Sequence, residues 1–453
     1  TAKRAAALAL TAALVVGMTL PAFAQDWYIE DGDISISAGE NGNNVTQGST
    51  TKENDTDTVI KSKDSSTASS NTVTIDADEG KTVNVTLDNV TINVDEGYEH
   101  GYDPNAYKTA VSVTGSGNTN IELNGNNTLT SGYGHAGLEH NKTDDSGTLT
   151  IQDEKNDDGS AKGSASDTTG SLTATGGYHS AGIGGSDKQD GQVTITGGEI
   201  IANGGSQGAG IGGGAGNQNA VGGDGDVTIS GGTITATGGS LGAGIGGGAY
   251  GNGTVTVTDG DITAKATGNY GAGIGGGYGA IPEDTLIGGN GTVTISGGTI
   301  TEASGGYMAA GIGSGYQGLG TVTIEGDAVI KNAQGGEAGA GIGSGTYGDS
   351  NILIRGNAII ENAESKTGGA GIGSGNVGNR PGVLGGSYIT INGGDVTAYG
   401  GSEAAGIGGG FKGNGKDITI NGGTVHAESG GGEKVATSSA VLSALQKSSS
   451  TTA

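Results

Sequence analysis

Around Val227 the chain places apolar and polar residues in strict alternation. Val227 and Ile229 face one way and Thr228 and Ser230 the other; Gly231-Gly232 follow, then Ile234 and Ala236 alternate with Thr233, Thr235 and Thr237 before Gly238-Gly239. Period-two alternation in β-branched residues predicts two half-buried strands. The Gly pairs supply the positive φ that sharp corners need. A third stretch, Ala243-Gly244-Ile245-Gly246-Gly247, alternates Ala and Ile with Gly. It predicts a third short strand whose outward positions carry no side chain.

The third stretch recurs as AGIGG or AGIGS from Ala181, Ala209, Ala243, Ala272, Ala310, Ala340, Ala370 and Ala405, at spacings of 28, 34, 29, 38, 30, 30 and 35 residues. A degenerate copy, Ala136-Gly137-Leu138, lies upstream. Self-similarity of this period predicts a solenoid, in which no unit buries its apolar side alone and stacking builds a continuous interior. Three short strands and three corners per unit specify an all-β parallel β-helix, a β-solenoid with coils about 4.8 Å apart. Gly and β-branched residues disfavour a helical repeat, and a β-propeller blade needs four longer strands. Most length variation falls between the AGIGG string and the next V-T-I strand, at 217–226, 279–287 and 376–387. That predicts loops gathered on one edge.

The ends differ from the middle. Lys3-Arg4, an apolar run from Ala5 to Leu20 and an A-x-A exit at Ala22-Phe23-Ala24 predict a signal peptide over 1–24 and export to the cell surface or medium. No later stretch is apolar enough for a membrane span. Residues 25–70 read as an irregular polar segment and 71–170 as irregular early coils capping the solenoid, interrupted by a polar loop from Asp153 to Thr169. The repeat body is 171–430, and 431–453 is a Ser/Thr-rich tail with a short capping helix within Val435 to Lys447.

Composition narrows the functions. Gly contributes 101 of 453 residues and Pro 4, without the Gly-X-Y period of collagen. There is no Cys, so stability rests on backbone pairing and a narrow core rather than disulfides. The net charge of −27 opposes binding to nucleic acid or anionic lipid.

The unit GGTITATGG…GAGIGGG…GTVTISGG resembles the Gly-rich repeats of large secreted or surface proteins of bacteria. Those repeats are grouped with the pectin-lyase-like β-helices, and some relatives are described as carbohydrate-binding. The resemblance covers roughly 171–430 and implies architecture more than role, since one solenoid serves lyases, hydrolases, adhesins and stalks.

Candidate chemistry is sparse. By resemblance, β-helix lyases need clustered carboxylates and a base, and hydrolases need paired carboxylates about the scissile bond. Here acids are scarce at strand positions, and the five histidines (His100, His135, His140, His179 and His426) form no motif. The cluster near Glu96, Glu99, Asp103 and Glu139 is where a hidden site would sit. Asp224 and Asp226 resemble one turn of a calcium-binding nonapeptide repeat, but neighbouring units lack the carboxylates of a calcium ladder. T-x-T rows such as Thr254/Thr256/Thr258 and Thr233/Thr235/Thr237 suit ordered water or ice, although variable coil length argues against a flat array.

Aromatic placement is more telling. Tyr250, Tyr278, Tyr316, Tyr347 and Phe411 follow the string, while Tyr178, Tyr270 and Tyr307 precede it. This predicts a bare glycine strip flanked by rings, suited to an extended glycan; the alternative is rings that stack on one another to close the corners. The sequence therefore points to a non-catalytic, adhesin-like protein binding polysaccharide, host glycan or host-surface protein without a cofactor. A passive stalk and a polysaccharide lyase or hydrolase are the alternatives.

Overall fold

The computed structural model describes residues 26–97, 107–153, 170–216, 223–279, 289–378 and 385–430. The expected signal peptide, the capping helix, His100, Glu99, Asp103 and most residues of the three insertions lie outside the described residues.

The strands stack as a parallel β-helix with three faces. On the first face Val193, Val227, Val255, Val293, Val322, Ile352, Ile389 and Ile418 pair coil to coil in one register. The second face aligns Ile200, Ile234, Ile262 and Ile300 in the same way. On the third, Ile183, Ile211, Ile245, Ile274, Ile312, Ile342, Ile372 and Ile407 form a single ladder. All three ladders converge in one buried core. Residues of like shape therefore sit on one another at every step, and each is closed off by the coils above and below.

The corner between first and second faces is a bend rather than a break in several coils. Gly225–Gly238, Gly253–Ala266 and Gly386–Tyr399 each run as one 14-residue strand across it. A left-handed glycine makes the bend, as at Gly232 with φ +89 and Gly260 with φ +107. Two coils carry one residue more at this corner, Glu325-Gly326-Asp327-Ala328 and Arg355-Gly356-Asn357-Ala358. They stack directly on each other, joined by Arg355–Glu325 and by Asn357 Nδ2 donating to Asp327 Oδ1 at 3.0 Å.

Two sequence expectations are corrected. Residues 25–70 are not irregular: Asp26–Tyr28 starts the first face by pairing with Val59–Lys61, and Ile34–Ala38 starts the third by pairing with Val73–Ala77. Trp27, Ile34 and Ile36 are buried. The outer edge of Ile34–Ala38 is covered by an antiparallel meander, Asn43–Gln47 and Thr50–Asp55. It is anchored by Trp27 Nε1 donating to Asp55 at 3.0 Å, with Lys52 2.9 Å from the same carboxylate. A paired, charged cover of this kind removes an open sheet edge.

The second correction concerns the string, which is not an extended strip. Only its Ile-Gly pair is strand. In all eight copies the alanine N–H donates to the carbonyl four residues on, from Ala181 to Gly185 (2.9 Å) through Ala243 to Gly247 (2.8 Å) to Ala405 to Gly409 (3.1 Å). The string is a closed arch. A Cβ on Gly244 would lie 2.6 Å from Lys265 N and Gly273 O, and one on Gly246, whose φ is +127, would overlap the carbonyl oxygen of Gly275. Close backbone approach, not access for a ligand, is what demands glycine here.

Candidate functional site

Closure of the arch brings its two flanks together. The sixth residue after each string alanine donates its N–H to the residue two before the string of the preceding coil: Tyr278 to Leu241 (2.8 Å), Tyr316 to Tyr270 (3.0 Å), Thr346 to Met308 (2.8 Å) and Phe411 to Gly368 (2.7 Å). The seventh residue donates to the sixth of the next coil, as Tyr250 to Tyr278 (2.8 Å) and Gly279 to Tyr316 (3.1 Å). The aromatics before and after the string therefore share one corner instead of flanking a strip.

Five of them form one contact network. Ring centroids are 5.1 Å apart for Tyr250–Tyr278, 4.9 Å for Tyr270–Tyr278 and 5.3 Å for Tyr270–Tyr316. Tyr278–Tyr316 are 5.9 Å apart and nearly parallel, and Tyr316–Tyr347 are 5.8 Å apart edge to face. All five are half-buried. The rings thus cover part of one another and present the rest to solvent, a row running along the solenoid axis over four coils. Burial and the neighbouring Tyr250 and Tyr270 push the Tyr278 hydroxyl above the usual phenol range, so it stays a neutral donor.

Tyr250 and Tyr347 occupy the left-handed region, with φ +60 and +65. Lys188, Gln317 and Lys412 hold the same place in the other coils without an insertion here. A bulky residue in that region costs on the order of 1 kcal/mol or more, and the conformation turns the chain at once into the first face. Tyr307, 51% exposed, stands outside the network, as does Phe411, over whose ring Lys412 Nζ lies 5.1 Å from the centroid.

A second aromatic group joins Tyr178, which precedes the string at Ala181, to Tyr107 and Tyr133 of earlier coils that lack a clean string. Tyr133 contacts Tyr107 (5.6 Å), Tyr178 (6.0 Å, parallel) and His179 (5.6 Å). Its signal was the degenerate copy at Ala136, whose Leu138 pairs with Ile183 on the third face. Beside it His135 Nδ1 lies 2.9 Å from Glu139, and His179 Nδ1 lies 3.3 Å from Asp187. Burial raises Asp187, but His179 and Lys188 outweigh it and hold the carboxyl below its ordinary range. His140 is buried, with Nδ1 2.8 Å from Gln192 O, and desolvation lowers its pKa so that the ring is neutral.

The weak calcium candidates are engaged elsewhere. Asp224 accepts from the Asn252 N–H (2.7 Å) and Asn252 Nδ2 (3.1 Å), and Asp226 pairs with Lys142 at 2.7 Å. Asp224 belongs to a column, Asp190, Asp224, Asn252 and Asn290, in which each side chain accepts the next coil's N–H, ending on Leu319. Burial raises the Asp190 carboxyl despite the N–H it receives. Among the described residues no three His, Asp or Glu side chains are grouped to hold a metal ion.

With three ladders and a recurring arch in view, the comparison with known families is direct. A family model described as "Beta helix repeat" matches residues 170–187, 193–215, 227–249, 293–316, 389–411 and 418–439. The chain is a parallel β-helix in which these segments are similar to beta helix repeats. The unmatched coils between them, such as Asn252 to Tyr278 and Leu319 to Tyr347, pair in the same register. No curated protein and no solved structure matches the chain. No helix among the described residues is long and apolar enough to cross a membrane.

Proposed function

We propose that this beta helix repeat protein is an exported, non-catalytic surface protein that binds glycan along the tyrosine corner, in the manner of an adhesin. The row of five mutually touching, half-buried rings carries the reading. A linear polymer needs contacts repeated along its length, and a solenoid edge supplies one per coil. Rings pre-packed against neighbours lose little freedom on binding, so their exposed parts offer contact area at low entropic cost.

Glycan-array binding of the purified protein, compared with Tyr250→Ala/Tyr278→Ala/Tyr316→Ala, tests this. The expected result is selective binding by the wild type and at least a tenfold loss in the variant, with its circular dichroism spectrum retained. A wild type that binds no glycan, or a variant that binds as well, removes the reading. A passive stalk is supported by the same ring contacts, since rings that clamp a corner stabilise it. In that case the variant lowers the melting temperature and no binding is found to lose.

A further inference from the structure

On the first face, the coils that carry the tyrosine corner also carry an unusual outward surface. Their strands read Thr254-Val255-Thr256, Thr292-Val293-Thr294 and Thr321-Val322-Thr323, paired residue for residue with no register shift. One column continues downward through Thr228, Thr194 and Thr150, giving six threonines in succession. The expected irregularity from variable coil length does not reach this face, because the insertions leave the chain after the seventh position and return before the strand.

The six hydroxyls of Thr254, Thr256, Thr292, Thr294, Thr321 and Thr323 make no hydrogen bond among the described residues, and their side chains are exposed or half-buried. Other polar rows on this edge are used internally: the Asp190-to-Asn290 column holds backbone N–H groups, while Thr258 and Ser296 lie within 3.5 Å of the preceding coil's carbonyls. The array is also uncharged, in a protein of net charge −27. Asn351 and Leu353 of the next coil stack on Thr321 and Thr323, and the charged groups at the array's described borders are acidic or paired: Asp224, Asp226 with Lys142, Glu325 with Arg355, and Asp349. Only three residues lie between Tyr250 and Thr254, and four between Tyr316 and Thr321.

We infer that the tyrosine corner and the threonine array form one continuous binding surface, selective for neutral polysaccharide over uronic-acid polymers. This rests on the glycan reading above and names the class of glycan. Strand spacing sets the hydroxyls about 4.8 Å apart between coils and about 6.8 Å apart along each strand. Such a lattice of donors and acceptors, with methyl groups between, can meet the hydroxyl-rich edge of a neutral polymer whose apolar sugar faces touch the rings. The charges an acidic polymer meets at the array's described borders are carboxylates and already paired cations, so like-charge contact disfavours it.

The test measures binding of soluble β-glucan, mannan and xylan against polygalacturonate for four proteins: wild type, Tyr250→Ala/Tyr278→Ala/Tyr316→Ala, Thr254→Lys/Thr292→Lys/Thr321→Lys, and a control with Thr233→Lys/Thr235→Lys on the second face. The expected outcome is binding of at least one neutral polymer, at least tenfold weaker binding of polygalacturonate, and at least a tenfold loss in both the tyrosine and first-face lysine variants but not in the control. Should the lysine variant fail to fold, Thr254→Val/Thr292→Val/Thr321→Val removes the hydroxyls with little change of shape, and at least a fivefold loss is expected. Tyrosine-dependent binding that prefers polygalacturonate or ignores the threonine variants overturns the inference and leaves the glycan reading standing. Absence of any tyrosine-dependent polymer binding overturns both, as does inhibition of ice recrystallisation by a protein that binds no polymer.

Discussion

On the first face of each coil Val255 and Val257 fill the interior while Thr254 and Thr256 meet solvent, so one side of the strand is open. On the third face Ala243 through Gly247 are buried throughout, with Ile245 inward and the strand end of the next coil against the backs of the glycines. The ladders from Val193 to Ile418 and from Ile183 to Ile407 each run over eight coils, but the first face stacks with side chains and the third with backbone. The first face can therefore change its outward residues freely and become a recognition surface. The third can change almost nothing, and its arch fixes the corner on which the tyrosines sit.

The sharpest way to break this contrast is a side chain on the backbone-packed face. In Gly246→Val the new Cβ would overlap the Gly275 carbonyl at a φ of +127 that a β-branched residue does not adopt. The coil must open, at a cost of roughly 5 kcal/mol, the exceptional end of single-site effects. Thermal unfolding followed by circular dichroism should show a large drop in melting temperature, with limited proteolysis cutting first near residues 243–275. A melting temperature within about 2 °C of wild type would mean the arch has room that its packing denies.

Smaller, and aimed at what holds the arch, is loss of the buried serine that replaces the fifth residue of the string in three coils. Ser344 is fully buried; its Oγ donates to the Gly348 carbonyl at 2.8 Å and accepts from the Gly375 N–H at 3.3 Å, and Ser314 makes the equivalent bonds one coil earlier. Ser344→Ala strands both partners and should cost about 1 to 2 kcal/mol in denaturant unfolding. No loss would show that these hydroxyls only fill space.

The contrast also explains what was readable beforehand. Val255 and Thr256 announce their sides by alternation, so the first two faces and the parallel stacking follow from the letters. Gly244 carries no such mark, because a glycine facing solvent and one pressed against Lys265 N are the same letter. The arch is closed by a backbone bond from Ala243 to Gly247, which no side chain advertises. For this reason the letters predict a bare glycine strip with Tyr270 and Tyr278 on opposite sides of it, where the structure closes an arch and brings the two rings together. Tyr278 and Tyr347 also looked equivalent, although one sits at the sixth position and the other at the left-handed seventh. Trp27 is the single inward residue of its strand, too few to show a period, while Ile34-Ser35-Ile36 alternates as the repeat strands do but lies in a polar segment without the repeat that marks them. The Asx column was partly visible as the Asp or Asn before each Gly that opens a first-face strand, at Asp190, Asp224, Asn252 and Asn290.

The finest test deletes the same chemical group as Ser344→Ala, but on the open face. Thr256 sits in the unbroken threonine column between Thr228 and Thr294, and its hydroxyl has no partner among the described residues. Thr256→Val keeps the β-branched shape that the strand favours and removes no internal hydrogen bond. Stability should move by no more than about 0.5 kcal/mol in either direction in the denaturant unfolding used for Ser344→Ala. If the two hydroxyl deletions cost alike, the first face is as internally committed as the third and has no surface to spare for a ligand. If Thr256→Val is silent while Ser344→Ala is not, the unspent hydroxyls are those that face outward, where binding and not folding is the reason to keep them.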